Sequence, residues 1–364
     1  MCPTAITPGE TEILLDNWYN AIRLNHVSKA EQAKRRVEAK IDGMMEDQTF
    51  MISYTLLDYR HHILLKNLDE AEALLQKVEP FKENFDHSLT YYYYFFQGLY
   101  FWTIGQYHDA LNFYKKAKKR LEHTKDDVEK AEFHYRIATV YYDLRKSLLS
   151  INHVNIAQGI FHKYQEFQNK DADCENLLGV NCIALKQFED AEEHLLFALD
   201  LAQKSDDEEL LLLIKYNLGY LYSEQNLSSI AIRYLKDVYK RQFYNPKTLF
   251  LLTREYLKTD QPKKAFPILE EGLRVCKEIE NTEYFYHLNM IKALHSDHSI
   301  EELERIIMDG IKYFESEDLW YFVQEYSERL ANIFYNTNNH EKASDYYHLG
   351  HVAKDKLFFR EALK

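Results

Sequence analysis

Five stretches of this 364-residue chain place small and aromatic side chains at the same offsets. The first holds Gly98, Phe101, Gly105, Tyr107, Ala110, Tyr114 and Ala117; the second holds Gly179, Phe188, Ala191, Leu195 and Ala198. Gly219, Tyr222, Ala231, Leu235 and Val238 make a third, and Tyr256, Ala265, Leu269 and Gly272 a fourth. Ala331, Phe334, Ala343, Tyr347 and Gly350 close the series. The step is forty residues from Gly179 to Gly219 and from Ala191 to Ala231, then thirty-four from Ala231 to Ala265. A single match of this kind is weak, but five in register restrict the fold severely. Small residues let two antiparallel helices approach, and aromatics fill the space around them.

These are the offsets of a tetratricopeptide (TPR) helix pair. Two degenerate copies are expected between the clear ones, one through Ala138, Tyr141 and Ala157, the other over residues 285–314. Residues 88–364 therefore read as a right-handed superhelix of helix pairs whose inner face is a natural peptide groove. Composition agrees: Gly 10 and Pro 6 against Tyr 29 and Phe 21 favour long packed helices over turn-rich strands. The run LTYYYYFFQGLYFW (residues 89–102) has the β-propensity of a strand, yet its register makes it helical, with most of Tyr91 to Tyr94 in the core. The expected fold class is all-α.

The N-terminal 67 residues lack the repeat offsets. A helix is expected after Pro8 and Gly9, a second from a Ser28 cap with Glu31 as capping-box partner to about Met45, and a third to about Lys66. The domain reading is thus a three-helix bundle (1–67), a helical linker (68–87) and the TPR domain (88–364). The stretch MMEDQTF falls where the second helix ends and the third begins. Glu46 and Asp47 are adjacent and point in different directions, and His61 and His62 are not spaced i, i+4, so neither pair suits a metal. The plain reading makes Asp47 and Thr49 helix-terminus residues and leaves Gln48 solvated.

A formal charge of −13 argues against nucleic acid, which needs a basic face. The one basic cluster, AKRRVEAK (residues 33–40), reads as a solvated helix face. Cys2, Cys174, Cys182 and Cys276 show no metal spacing and suit reduced thiols. No signal peptide and no run of eighteen apolar residues is visible, so a cytoplasmic protein is expected.

Asn17-Trp18-Tyr19, MEDQ (residues 45–48), Tyr54, Leu57, Arg60 and His61, followed by TPR units, resemble the Rap proteins of Bacillus and its mobile elements. KAEFHYRIATVYY (130–142), LKQFEDA (185–191) and YNLG (216–219) extend the likeness over almost the whole chain. The resemblance implies a bundle that binds a regulatory protein through a surface including Glu46, Asp47 and Gln48. It also implies a secreted and re-imported Phr pentapeptide in the TPR groove that switches the activity off. Asn217 matches the residue that holds the peptide backbone, and Asn181 matches a second family Asn. Ala184 stands where the family often has an Asp that meets a basic peptide residue. Two activities follow from the family: sequestration of a transcriptional regulator, as in antirepressors, or loss of phosphate from a response regulator. In the second, Gln48 is the catalytic residue, orienting a water, and the partner carries the Mg²⁺; no cofactor is expected of this chain. A peptide-independent TPR scaffold is the plainest alternative. Whether the chain self-associates to a homo-oligomer is open at this stage.

Overall fold

The computed structural model describes residues 8–41, 47–122, 124, 126–167, 169–204, 207–241 and 246–362, the side chains of 8–11 and 358–362 excepted. Its elements are helices taken two at a time: α1 (Pro8–Arg23) with α2 (Val27–Glu38), α3 (Gln48–Leu64) with α4 (Leu68–Val78), α5 (His87–Thr103) with α6 (Tyr107–Leu121), α7 (Asp127–Asp143) with α8 (Ser147–Phe161) and α9 (Lys170–Ala184) with α10 (Phe188–Gln203). They continue as α11 (Glu208–Glu224) with α12 (Ser228–Lys240), α13 (Pro246–Lys258) with α14 (Pro262–Glu278), α15 (Thr282–Leu294) with α16 (Ile300–Ser316) and α17 (Trp320–Asn336) with α18 (His340–Ala362). Two 3-10 turns, Glu79–Asn84 and Gln165–Phe167, complete the list. Among the described residues there is no strand, and no helix is long and apolar enough to cross a membrane. The all-α class read from the repeats holds. The contacts divide the chain into two compact units, residues 1–207 and 208–364.

One turn closes most of the hairpins. Its central residue lies in the left-handed region: Asn25, Lys66, Gly105, Arg145, Lys186, Asn226, Asp260 and Asn338 all have φ between 55° and 79°. At each, that residue's N–H and the next return to carbonyls of the last helical turn, as Lys186 to Ile183 and Gln187 to Cys182 do at 2.9 Å. This Schellman cap satisfies the orphan carbonyls, and glycine is its usual occupant. Here only Gly105 is a glycine. Five residues beyond each turn a small side chain is sealed inside the hairpin: Ala30, Ala71, Ala110, Ser150, Ala191, Ala231 and Ala265 are 0% exposed and Ala343 is 2%.

The same turn and sealed small residue recur in α1–α2 and α3–α4, ahead of residue 88. Seven residues before the turn, Gly98, Ala138, Gly179, Gly219 and Ala331 keep the helices close, but Trp18 and Tyr59 fill that slot in the first two hairpins. At Gly98 and Gly179 an added Cβ would lie 2.4 Å from the Tyr114 ring and 2.6 Å from Leu195. The second helix departs from expectation. It begins at Val27 after His26, without a side-chain cap, because the Asn25 turn sets its start through the backbone. Ser28 and Glu31 form no capping box. The helix ends at Glu38, and Met45 lies outside the described residues.

In the first unit one core runs from Trp18 and Ile22 through Tyr59 and Tyr91 to Phe133 and Val140. Tyr91 and Tyr93 are buried and Tyr92 and Tyr94 half-buried, so the tyrosine run is core, as its register requires. The polar segment after residue 67 contains the expected helix, α4, packed on α3. In the second unit Met290, Phe314, Tyr326, Leu330 and Phe334 centre a separate core.

Candidate functional site

The start of α3 carries the residues singled out in MMEDQTF. Asp47 is extended (φ −83°, ψ 98°), and its carboxylate accepts the Phe50 N–H at 3.0 Å. Its carbonyl accepts from Met51. That is an N-cap, which meets one of the open donors of the first helical turn. Phe50 turns inward, while Asp47, Gln48 and Thr49 are exposed. Asp47 is therefore occupied in holding the helix start, and Gln48 is left with its amide directed to solvent on the first turn of a rigid helix. Glu46 lies outside the described residues.

Behind this start the first three helices are locked together. The fully buried Trp18 donates its indole N–H to His61 Nδ1 at 2.7 Å. Burial lowers His61 to about 4, helped by Lys34, so the ring is neutral and Nδ1 is free to accept. Lys34 pairs with Asp58, and the Tyr54 hydroxyl donates to Glu38 at 3.2 Å. Four residues of the family likeness (Trp18, Tyr19, Tyr54 and His61) thus have structural work in the interior and at its rim.

A second polar centre was not singled out in the sequence. Glu129 on α7 is 0% exposed and accepts the hydroxyls of Tyr91 from α5 at 2.7 Å and Tyr19 from α1 at 3.1 Å. Arg23 of α1 reaches Glu129 at 3.2 Å and Asp126 at 2.9 Å. Burial pushes the Glu129 carboxyl up to about 7 against the pull of Arg23 and the two hydroxyls. One turn on, Glu132 pairs with Arg136 at 2.6 Å. Burial alone would raise Glu132, but Arg136, Lys170 and Arg60 bring it down to about 2. This polar core ties α1 to α5 and α7. Its sequence trace is the spacing of 129, 132 and 136, which puts three charged residues on one side of a helix beside the apolar Val128, Ala131 and Phe133.

The residues matched to peptide binding are buried. Asn181 on α9 is 0% exposed, and its amide N–H groups go to Ser150 Oγ at 2.9 Å and Leu177 O at 2.7 Å. Asn217 on α11 is 6% exposed. Ala184 ends α9 and is exposed. Asn181 belongs to the first unit and Asn217 to the second. On α11 and α13 of the second unit, Arg254 is held by Glu224 at 3.3 Å, Glu255 at 3.1 Å and Ser223 at 2.6 Å. Among the described residues no three His, Cys, Asp or Glu side chains gather as a metal site requires. Cys174, Cys182 and Cys276 are free and buried.

Residues 5–66 match the family described as response regulator aspartate phosphatase H, N terminal. The chain is 32% identical over 348 residues to the transcriptional activator NprA of Geobacillus stearothermophilus, covering 92% of this chain and 85% of that protein. It is 30% identical over 273 residues to the regulatory protein RapG of Bacillus subtilis (strain 168), covering 73% and 74%. The chain belongs to the Rap family. A crystal structure of a Rap protein complexed with competence and sporulation factor superposes with a TM-score of 0.80 at 25% identity, over 96% of this chain and 98% of that one. Within this Rap chain, the family match to residues 5–66 spans α1 to α3, including the Asp47 cap and Gln48.

Proposed function

We propose that this Rap protein binds and inhibits a transcriptional regulator through the exposed start of α3, and that a small signalling peptide held against its TPR helices switches it off. The observation that carries the reading is the Asp47 cap, which presents Gln48 to solvent at a fixed point of a buried, three-helix framework. A rigid exposed helix start with few side chains to order is suited to docking a partner protein. The chain-length likeness to a Rap protein solved with a bound factor supports the second half of the reading. On this reading the protein acts in the cytoplasm, and Asn217 and Asn181 are the residues that serve the peptide.

A second reading, phosphatase action on an aspartyl-phosphate response regulator, is favoured by one specific observation. The Gln48 amide is exposed on a first helical turn, where it can accept from and donate to a water and where the helix dipole favours an approaching phosphoryl group. The response regulator would bring its own aspartate and Mg²⁺.

One experiment separates them. Candidate DNA-binding regulators and phosphorylated response regulators are incubated with the wild type and with Gln48→Ala, with and without pentapeptides from the neighbouring reading frame. Sequestration predicts peptide-reversible capture of a regulator and unchanged phosphate lifetimes. Phosphatase action predicts a shortened phosphate lifetime that Gln48→Ala restores by about a hundredfold or more. If no regulator is captured, no phosphate lifetime changes and peptide has no effect, both readings are lost to a plain scaffold.

A further inference from the structure

The helix α8 contains no charged residue: its fifteen positions read SLLSINHVNIAQGIF. Other second helices of the first unit are heavily charged outside, α6 with Lys115, Lys116, Lys118 and Lys119 and α10 with Glu189, Glu192 and Glu193. The side of α8 that packs on the chain holds Ser150, His153, Val154, Ala157 and Phe161. The opposite side exposes Leu148 (73%, the highest of any large apolar residue described), Leu149, Asn152, Asn155, Ile156 and Gly159. In a chain of net charge −13, an apolar and amide face free of charge can meet a like surface without repulsion.

Gly159 is the second oddity. Glycine disfavours a helix interior, and a helical glycine is normally kept because something packs closely on it. Gly98, Gly179, Gly219, Gly272, Gly310 and Gly350 all have such a neighbour within their own chain. A Cβ at Gly159 would meet nothing within 4 Å, so no close approach inside the described chain accounts for it.

Leu148, Asn152, Asn155 and Gly159 follow one another at intervals of four, three and four, which is a single seam on a helix. Under an antiparallel two-fold this seam is complementary to itself. Leu148 of one copy falls opposite Gly159 of the other, a projecting side chain over an empty place, and Asn152 falls opposite Asn155, where amides pair as donor and acceptor. Parallel pairing would set Leu148 on Leu148 and leave the glycines facing each other. We propose that the outer face of α8 is a homodimer interface in which two copies pack antiparallel through this seam. The seam is one face of a single fifteen-residue helix, smaller than the ~800 Å² a side of a standard stable interface, so the dimer forms reversibly with concentration.

Sedimentation velocity on the full chain between about 1 µM and about 100 µM tests this directly. The wild type is expected to pass from monomer toward dimer. Leu148→Glu and, separately, Gly159→Leu are expected to raise the midpoint concentration at least about tenfold, with unchanged helical content. Gly159→Leu guards against a folding artefact, since the added side chain has open space within the chain. For register, Asn152→Cys and Asn155→Cys chains are mixed under oxidising conditions. The mixture is expected to form disulfide-linked dimer well above either variant alone. A chain that stays monomeric throughout overturns the proposal, as does a dimer whose midpoint neither variant moves. So does cross-linking no greater in the mixture than in the single variants. A monomer that loses a different binding partner on Leu148→Glu would reassign the face to that partner and equally refute the dimer.

Discussion

The Glu129 carboxylate is the most consequential single group in the first unit. It receives two tyrosine hydroxyls and a guanidinium while wholly buried, so its removal strands three polar groups at once. Glu129→Ala is expected to cost ~3–5 kcal/mol in chemical denaturation, the usual penalty for breaking a buried ionic cluster from one side. Glu129→Gln, which can still accept, is expected to cost clearly less. His134 and His153 offer a pH test. Their Nδ1 atoms lie 2.7 Å apart, so one ring must donate and the other accept. Burial, with Lys118 of α6 adding to it, lowers both to about 4. The unfolded chain, with histidines near 6.5, binds more protons than the fold between these values. The pair's stability is therefore complete above pH 6.5 and lost as pH falls through about 4. Replacing both by Gln is expected to flatten the stability profile between pH 7 and pH 4.5 by ~1–2 kcal/mol, read from denaturation midpoints. Sequence reveals some residues of this kind and hides others. Asp47 is legible as a cap because it lies within three residues of the Phe50 N–H that it accepts. Glu129 is not, because what makes its burial tolerable comes from Tyr19, Arg23 and Tyr91, up to 110 residues away.

At the scale of the element, the hairpin turn decides most of the architecture. Left-handed backbone strains any residue with a Cβ, and Arg145 and Lys186 carry that strain without the local hydrogen bonding that eases it for Asn. Arg145→Gly and Lys186→Gly are each expected to raise stability by ~0.5–1 kcal/mol, and Lys186→Val to lower it by ~1 kcal/mol or more. Close contact between the paired helices makes the opposite demand. Gly98→Ala drives a Cβ to within 2.4 Å of the Tyr114 ring and is expected to cost ~1–3 kcal/mol, visible as a lower thermal midpoint. The repeat was legible from residue 88 onward because Gly and Ala mark both helices of a pair. It was illegible before that, since Trp18 and Tyr59 hide the small slot. The start of α2 was misplaced for the same reason: Ser28 has the chemistry of a cap, but the backbone turn at Asn25 acts first.

For the whole molecule, the division at residue 207 had no signal in composition, because the same kind of hairpin lies on both sides of it. The second unit has four hairpins and its own aromatic core around Phe314 and Tyr326. Residues 208–364 expressed alone are expected to give a helical circular-dichroism spectrum and a cooperative thermal transition, as four stacked repeats suffice for a solenoid. A featureless melt would show that the division has no energetic meaning. The constant interval from the left-handed turn residue to the sealed small residue also sets how such a chain can change its length. Adding or losing one residue between Lys186 and Ala191 would rotate α10 by about 100° and carry Glu192 or Asp190 into the place of the alanine. A whole hairpin, by contrast, brings its own turn, its own carbonyl caps and its own small residue. Lengthening by duplicated pairs is therefore tolerated where single insertions inside a pair are not, and natural length variation should fall between hairpins, outside these five-residue intervals.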